Sequence, residues 1–378
     1  MRAVPVGKIS VEAWDAAAAA SPQAWLFHSA DWNALEERYF VKENRSFGLI
    51  EDGDIVGLQP LYYSDATSGT GGERLLHSGI HRQTGLALAP GLSSLQAAKA
   101  RSEAMAAIFA LAEELDVNRI QLNLHNLTPE SRSPQRTEIP FWVQRHRFFL
   151  GLNFGRFGMM PVPGMATCNA DQIVDLGPTE EELFANLDQK FAVRKGMRLG
   201  LQAKIASNSH DIDKYYAIAE ASAARTGEDL APLDYYLEIW RRFADTGRCA
   251  IVFANFGDRP VAACLLLIDK RAASYAAGVC DPEYLWTRAN DFLQWSVIAW
   301  AKQQGLTHYR LGPFFPEVPR DWPISKVSWF KTKFGGRAVT IIQGSYFRTP
   351  QLYLPAAMPH VEALCRADTA VPTAAREA

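Results

Sequence analysis

The sequence predicts an α+β fold of two tandem domains, each a mostly antiparallel mixed sheet flanked by helices. Three observations predict it. Between Cys249 and Cys280, three apolar runs rich in β-branched residues or alanine, 249–256 (CAIVFANF), 261–268 (VAACLLLI) and 273–280 (ASYAAGVC), are parted by turn clusters at Gly257-Asp258-Arg259-Pro260 and Asp269-Lys270-Arg271, the pattern of a three-strand meander. Asn290 or Asp291 can then cap a helix that reaches Gln304, Gly305 ends it, and 308–311 returns as a short strand. The first half gives the same succession of hairpin, helix and strand without visible identity, and repetition at domain scale points to a duplicated fold.

Taken in order, residues 11–20 (VEAWDAAAAA) read as a short helix, and 31–40 as another with Ser29 as its cap. Residues 46–50 and 55–63 flank the tight turn Glu51-Asp52-Gly53-Asp54, a second hairpin. A Gly-rich loop at 68–73 precedes an Ala-rich helix over 92–115 and the alternating strand 119–124. A break at 131–135 (SRSPQ), an aromatic and basic stretch at 141–149, and a Gly/Pro/Met-rich segment at 151–165 follow. The boundary is placed in that last segment, giving a domain over 1–160, a second over 161–350 and a tail over 351–378 that frays from Ala367. In the second domain, 167–176 is a strand, and Thr179 with Glu182 forms a capping box for a helix to about Leu199. Helices over 211–225 and 233–244 lead into the meander, and a final pair of strands surrounds Gly335-Gly336 and 338–346.

Composition narrows the function classes. With 378 residues, 48% of them hydrophobic, the chain can bury two substantial cores. A net charge of -2 leaves no excess of Lys and Arg to steer the whole molecule onto nucleic acid or an anionic membrane. The five cysteines (Cys168, Cys249, Cys264, Cys280, Cys365) form no C-x-x-C pair, and three fall inside predicted strands, which suits buried thiols in a reducing cytoplasm. Apolar runs fall well short of the ~20 residues that span a bilayer, so any membrane role is peripheral, at the inner face. His77 and His81 stand four apart, but Ser78-Gly79 opposes a helix there and no third ligand accompanies them, so no metal site is expected.

The most specific local sequence is 329–336, WFKTKFGG. It resembles the FK-x-x-FG signature of the FemAB-like acyltransferases, which are tandem GNAT-type proteins. Residues 189–201 (QKFAVRKGMRLGL) are similar to that family's basic helix ending in glycine, Ala224-Arg225-Thr226-Gly227 to its arginine-glycine element, and Ser29-Ala30-Asp31-Trp32 to its opening segment. The resemblance implies transfer of an acyl or aminoacyl group to an amine of a cell-envelope saccharide, a polysaccharide or a peptidoglycan-type precursor. No cofactor is then tightly bound, and acyl-CoA or aminoacyl-tRNA serves as donor. Acyl-CoA is preferred, because the chain shows no long pair of charged heptad helices of the kind that faces tRNA in some Fem proteins. The Gly-rich Q/R-x-x-G-x-G/A loop of standard GNAT enzymes is absent, and Thr287-Arg288-Ala289-Asn290 occupies its place. There Arg288, Asn290 and the helix start can still receive a phosphate. The rival reading is a catalytically silent GNAT-fold binding or regulatory protein.

The chemistry itself limits the candidates. An attacking amine must lose a proton, the leaving thiolate or ribose oxygen must gain one, and N–H groups must meet the developing oxyanion. GNAT-like folds place the carbonyl where two strands splay apart, here between 273–280 and 308–311. Asp281 and Glu283, next to those strand ends, and Glu228 and Asp229, which follow the arginine-glycine element, are candidate bases, although exposed carboxylates are ordinarily just solvated. Tyr275 and Tyr284 are candidate proton donors, with packed core aromatics as the simpler reading. Lys331, between Phe330 and Phe334 in an expected strand or loop, can hold a phosphate or a developing negative charge, and the resemblance implies a functional lysine there. Lys190, Arg194 and Arg198 recur every four residues as one basic stripe, which with Arg225 can grip a phosphorylated ligand.

Overall fold

The computed structural model describes residues 1–65, 74–79, 84–132, 145–150, 170–227, 229–314 and 323–349. The chain divides into two units, Met1–Ala170 with Phe315–Lys326 and Thr340–Ala378, and Asp171–Phe314 with Val327–Val339. The loop expected at 68–73, the boundary at 151–165 and the tail lie outside the described residues, as do 133–135 of the expected break and 141–144 of the aromatic stretch.

The first unit opens with β1 (Arg2–Pro5), α1 (Val11–Ala20) and α2 (Ala30–Tyr39). Ser10 and Ser29 cap the two helices by accepting the N–H groups of Ala13 and Trp32, which answers donors a helix start cannot satisfy itself. Short strands follow: β2 (Glu43–Asn44), the hairpin β3 (Phe47–Glu51) and β4 (Asp54–Gln59), β5 (Tyr62–Ser64), β6 (Leu75–His77) and β7 (Ala87–Leu88). The long helix α3 (Ser94–Glu114) starts from a Ser93/Gln96 capping box and buries Ala100, Ala104, Ile108 and Ala112. That four-residue spacing keeps one face on Leu49, Leu76, Ile120 and Leu122. Strands β8 (Arg119–Leu124) and β9 (Phe149–Leu150) complete this stretch.

The second unit runs β10 (Ala170–Asp175), α4 (Glu180–Ala185), α5 (Lys190–Arg198), β11 (Leu201–Ile205), α6 (His210–Thr226), α7 (Leu233–Phe243), β12 (Cys249–Phe256), β13 (Arg259–Asp269), β14 (Ala272–Cys280), α8 (Ala289–Gln303) and β15 (His308–Phe314). Helix α9 (Pro323–Thr332) and β16 (Arg337–Thr340) follow, and β17 (Ile342–Phe347) ends the described chain. One seven-stranded sheet holds β11-β12-β13-β14-β15-β10-β16 in that order. The meander is antiparallel from β11 to β14, and β14 pairs parallel with β15. In the first unit the order is β1-β3-β4-β7 in one sheet and β2-β5-β6-β8-β17-β9 in another. There β6 pairs parallel with β8, so the expected succession of hairpin, helix and strand is present in both units, and in both the returning strand pairs in parallel. The fold is tandem GNAT-like and α+β.

Four local expectations change. The single helix expected from Thr179 to Leu199 is two helices, because Leu187 turns into the core and the Asp188 N–H donates to the Lys333 carbonyl at 2.9 Å. Residues 329–332, expected as strand or loop, are the last turns of α9. Helix α8 is preceded not by a capping Asn or Asp but by Arg288 in the left-handed region at φ 63°. The expected final pair of strands separates: β16 joins the sheet of the second unit, while β17 pairs with β8 and β9 in the first.

Candidate active site

The site begins with a defect in the meander. Leu265 faces Ala277 and Leu266 faces Tyr275, so Ala276 has no counterpart on β13. This bulge turns β14 aside. Its parallel ladder with β15 holds for three rungs, Ala272↔His308, Ala273↔Tyr309 and Ser274↔Arg310, and no further. Beyond that point β14 runs on to Cys280 and β15 to Phe314 without pairing.

Lys331 fills the mouth of the gap. Its Nζ donates to the Pro313 carbonyl at 2.6 Å. A Cβ placed on Gly312 would lie 3.4 Å from that nitrogen and 4.0 Å from the Tyr275 carbonyl oxygen. Gly312 has φ 87°, a conformation glycine adopts without strain, and its bare Cα leaves room for the lysine. Burial chiefly, and then the Arg310 guanidinium, bring the Lys331 ammonium down to about 8, with Asp171 pulling the other way.

Two buried ion pairs hold this frame. Arg310 meets Asp171 at 2.7 Å, the carboxylate wholly buried, and also donates to Ser274 Oγ at 3.3 Å. Lys333 pairs with Asp291 on α8. The rings of Trp329, Phe330 and Phe334 surround it, with the Phe330 centroid 4.4 Å from the ammonium. Two residues apart in one motif, Lys331 points into the strand gap and Lys333 locks the motif onto α8. Sequence reasoning missed Lys333, Asp171, Asp291 and Arg310. The one available signal was a buried-strand pattern interrupted by a charge at Asp171 and at Arg310.

The other expected residues are spread around the unit. Tyr275 is half-buried, its ring laid along its own strand so that a Cβ on Gly278 would fall 1.6 Å from its hydroxyl oxygen. Asp281 accepts the Glu283 N–H at 3.0 Å and pairs with Arg259 at 2.9 Å, which engages both carboxylate oxygens. Glu283 is exposed, 3.9 Å from the same Arg259, and Arg259 stacks over Tyr284 at 4.9 Å. Asp229 is exposed, and Glu228 lies outside the described residues. Phe330 packs edge-on against Phe334.

On α5, Arg194 and Arg198 are exposed and Lys190 half-buried, with Arg194 over the Phe184 ring at 5.4 Å. Lys195 instead reaches across to the Trp286 carbonyl at 2.7 Å. Gly196 lets α5 approach α8, since a Cβ there would meet Phe292 at 2.9 Å. At the start of α8 the Asp291 and Phe292 N–H groups donate to the Arg288 carbonyl; of the two residues before them, Ala289 is buried in the core and Asn290 is half-buried. Arg225 is exposed one residue before the end of α6, ahead of Gly227 at φ 71°. Its charge reaches Cys280.

The remaining groups are structural. Cys249, Cys264 and Cys280 are free and buried, and burial pushes the Cys249 and Cys280 thiols up to about 12 and about 11, far from a reactive thiolate. His77 is buried, its Nε2 3.0 Å from Ser64 Oγ, while His81 lies outside the described residues. Among the described residues no helix is long and apolar enough to cross a membrane.

Comparisons with known proteins agree with this geometry. No curated protein matches the chain in sequence. Residues 188–315 match the acetyltransferase (GNAT) domain family, a span that holds the meander, α8 and β15. Among solved structures, FemX is similar over 91% of this chain and 98% of its own, at 13% identity and a TM-score of 0.69. A tandem GNAT protein from the clavulanic acid biosynthesis pathway is similar over 92% and 99%, at 12% identity and 0.52. The C-terminal domain of a candidate lysylphosphatidylglycerol synthetase from Agrobacterium fabrum is similar over 94% and 95%, at 12% and 0.53. At such identities these structures share a fold with the chain, the tandem GNAT-type fold, and residues 188–315 form a domain that matches the acetyltransferase (GNAT) family.

Proposed function

We propose that the protein transfers an acyl group to an amine of a cell-envelope saccharide or peptidoglycan-type precursor, by direct attack in the gap between β14 and β15. The observation that carries this reading is a cation, Lys331, held beside a bare Gly312 where the parallel ladder ends. A carbonyl lying along the unpaired edges would find strand N–H groups there, and the Lys331 ammonium would meet the charge that develops on the oxyanion or the leaving group. The amine attacks the carbonyl carbon, the tetrahedral intermediate expels the thiolate or ribose oxygen, and the proton released by the amine balances the one the leaving group takes up.

Acyl-CoA is the donor this reading prefers. The half-buried Asn290 in the first turn of α8, with the exposed Arg288 beside it, suits its pyrophosphate, and the α5 stripe of Lys190, Arg194 and Arg198 adds positive charge. Aminoacyl-tRNA, whose ester would use the same gap, is the alternative, and FemX and the lysylphosphatidylglycerol synthetase neighbour are consistent with an envelope acceptor. The engagement of Asp281 by Arg259 favours a second reading, a silent binding protein, because it removes one expected base. The test incubates the full chain with acetyl-CoA and a panel of amino sugars and, in parallel, with charged tRNA. Transfer that Lys331→Met abolishes supports the enzyme reading; no transfer from either donor would move the assignment to the binding protein.

A further inference from the structure

We propose that the buried Asp171–Arg310 pair is the positioning device of this site: it pins three strands at the last rung before the gap and fixes the electric field in which Lys331 works. The proposal rests on the reading of Lys331 given above.

Arg310 closes the parallel ladder, opposite Ser274. One guanidinium nitrogen reaches Ser274 Oγ on β14 at 3.3 Å, and another reaches Asp171 on β10 at 2.7 Å. One side chain on β15 therefore ties both of its neighbours in the sheet. Both partners are withdrawn from water, Asp171 fully and Arg310 to 12% exposure, and a buried bidentate-capable guanidinium keeps its charge.

Residues two apart on a strand project from one face. Gly312 stands two beyond Arg310, and the Lys331 nitrogen lies 3.4 Å from where a Cβ on Gly312 would be, on the side to which that residue projects. The Arg310 guanidinium and the Lys331 amine thus share a face, with one buried anion between the strands to balance them. Arg310 on β15 and Asp171 on β10 are the charged groups that act on Lys331, in opposite senses, while β15 itself accepts its hydrogen bond at the Pro313 carbonyl. A pair serving only to knit the sheet together would weaken the fold when either partner was lost, and would do so in one direction. A pair that sets the field must move Lys331 in opposite directions when its two halves are neutralised.

The measurement is the pH midpoint of Lys331 labelling by acetic anhydride, read by peptide mass spectrometry on the full chain, with a thermal melt to confirm folding. Asp171→Asn is expected to lower the midpoint and Arg310→Met to raise it, each by about one unit. Ser274→Ala, which removes a tie but no charge, should leave the midpoint in place. Midpoints that stay fixed, or that move the same way in both charge variants, would overturn the proposal. Should Arg310→Met not fold, Arg310→Lys keeps the charge and must leave the midpoint near that of the parent, while the downward move in Asp171→Asn decides alone. Labelling needs no turnover, so the two readings fail separately. Full activity in Lys331→Met would remove the catalytic reading and leave the shifts standing.

Discussion

The two units contain the same junction, and they treat it in opposite ways. In the first, β6 and β8 pair in parallel at Leu75↔Arg119, Leu76↔Ile120 and His77↔Gln121. The next position is sealed. Ser78 Oγ accepts the Asn123 N–H at 2.8 Å, the Asn123 amide donates to the Gly79 carbonyl at 2.6 Å, and Thr84 donates twice to the Ser78 carbonyl. In the second unit the ladder also lasts three rungs, but the residue corresponding to Asn123, four beyond the start of the pairing, is Gly312. Where the first unit puts an amide that bonds the strands together, the second leaves a space and sends in a lysine from another element. On the function proposed above, the duplicated fold would use for chemistry the junction where local hydrogen bonding has been given up, because unpaired strand N–H groups can serve a ligand.

The largest effect should come from the frame. Lys333→Met would leave the Asp291 carboxylate buried without its cation, costing about 3–5 kcal/mol; a thermal or urea melt showing a loss below 1 kcal/mol would mean that the aromatic packing alone holds the motif on α8. The working cation comes next. Lys331→Met should lower kcat/KM by about 10²–10³-fold, the usual weight of one group that meets developing charge, and wild-type rates should decline as pH rises through about 8, where the ammonium is lost. A rate that climbs across that range would instead make the neutral amine a base.

Transplanting the seal is the direct challenge to the comparison. Gly312→Asn, at a φ that asparagine tolerates better than other side chains, should displace the Lys331 nitrogen and reduce turnover on the order of 10²-fold, whereas retained activity would mean that the open gap is not needed. The reciprocal change, Asn123→Ala, should cost about 1–3 kcal/mol of stability by stranding its partners, while kcat/KM per folded molecule stays unchanged. Smallest is the effect of Lys331 on the fold itself. Its folded value lies below its unfolded one, so the unfolded chain binds the extra proton and the charged lysine weakens the fold below pH 8. Lys331→Met should therefore stabilise the protein by about 1–2 kcal/mol at pH 7, a gain that fades as pH rises from 8 toward 10.5 and that equilibrium unfolding at both ends would register.

Much of the fold was legible because its signals are local. The turn clusters at Gly257-Asp258 and Lys270-Arg271 sit at hairpin corners with Gly257, Lys270 and Arg271 at positive φ, and Ser10, Ser29 and Thr179 cap the helices they precede. The motif around Lys331 was also visible, since aromatic residues, lysines and a glycine pair in eight positions are rare enough to mark a site. What was hidden is which partner each charge would find. The basic stripe at Lys190, Arg194 and Arg198 was read from spacing, yet Lys195, off that stripe, makes the contact with the segment before α8.

By itself the sequence determined the meander, the hairpin at 47–59, most of the helices, the caps at Ser29 and Thr179 and the repeat, because these depend on backbone preferences and side-chain periodicity over a few neighbours. Only the tertiary structure decided that β17 lies beside β8, that the helix after Thr179 breaks where residue 333 passes, and that Lys331 rather than Lys333 reaches the gap. Those outcomes depend on contacts between residues far apart along the chain, where burial and charge pairing choose among placements that local propensity leaves equal.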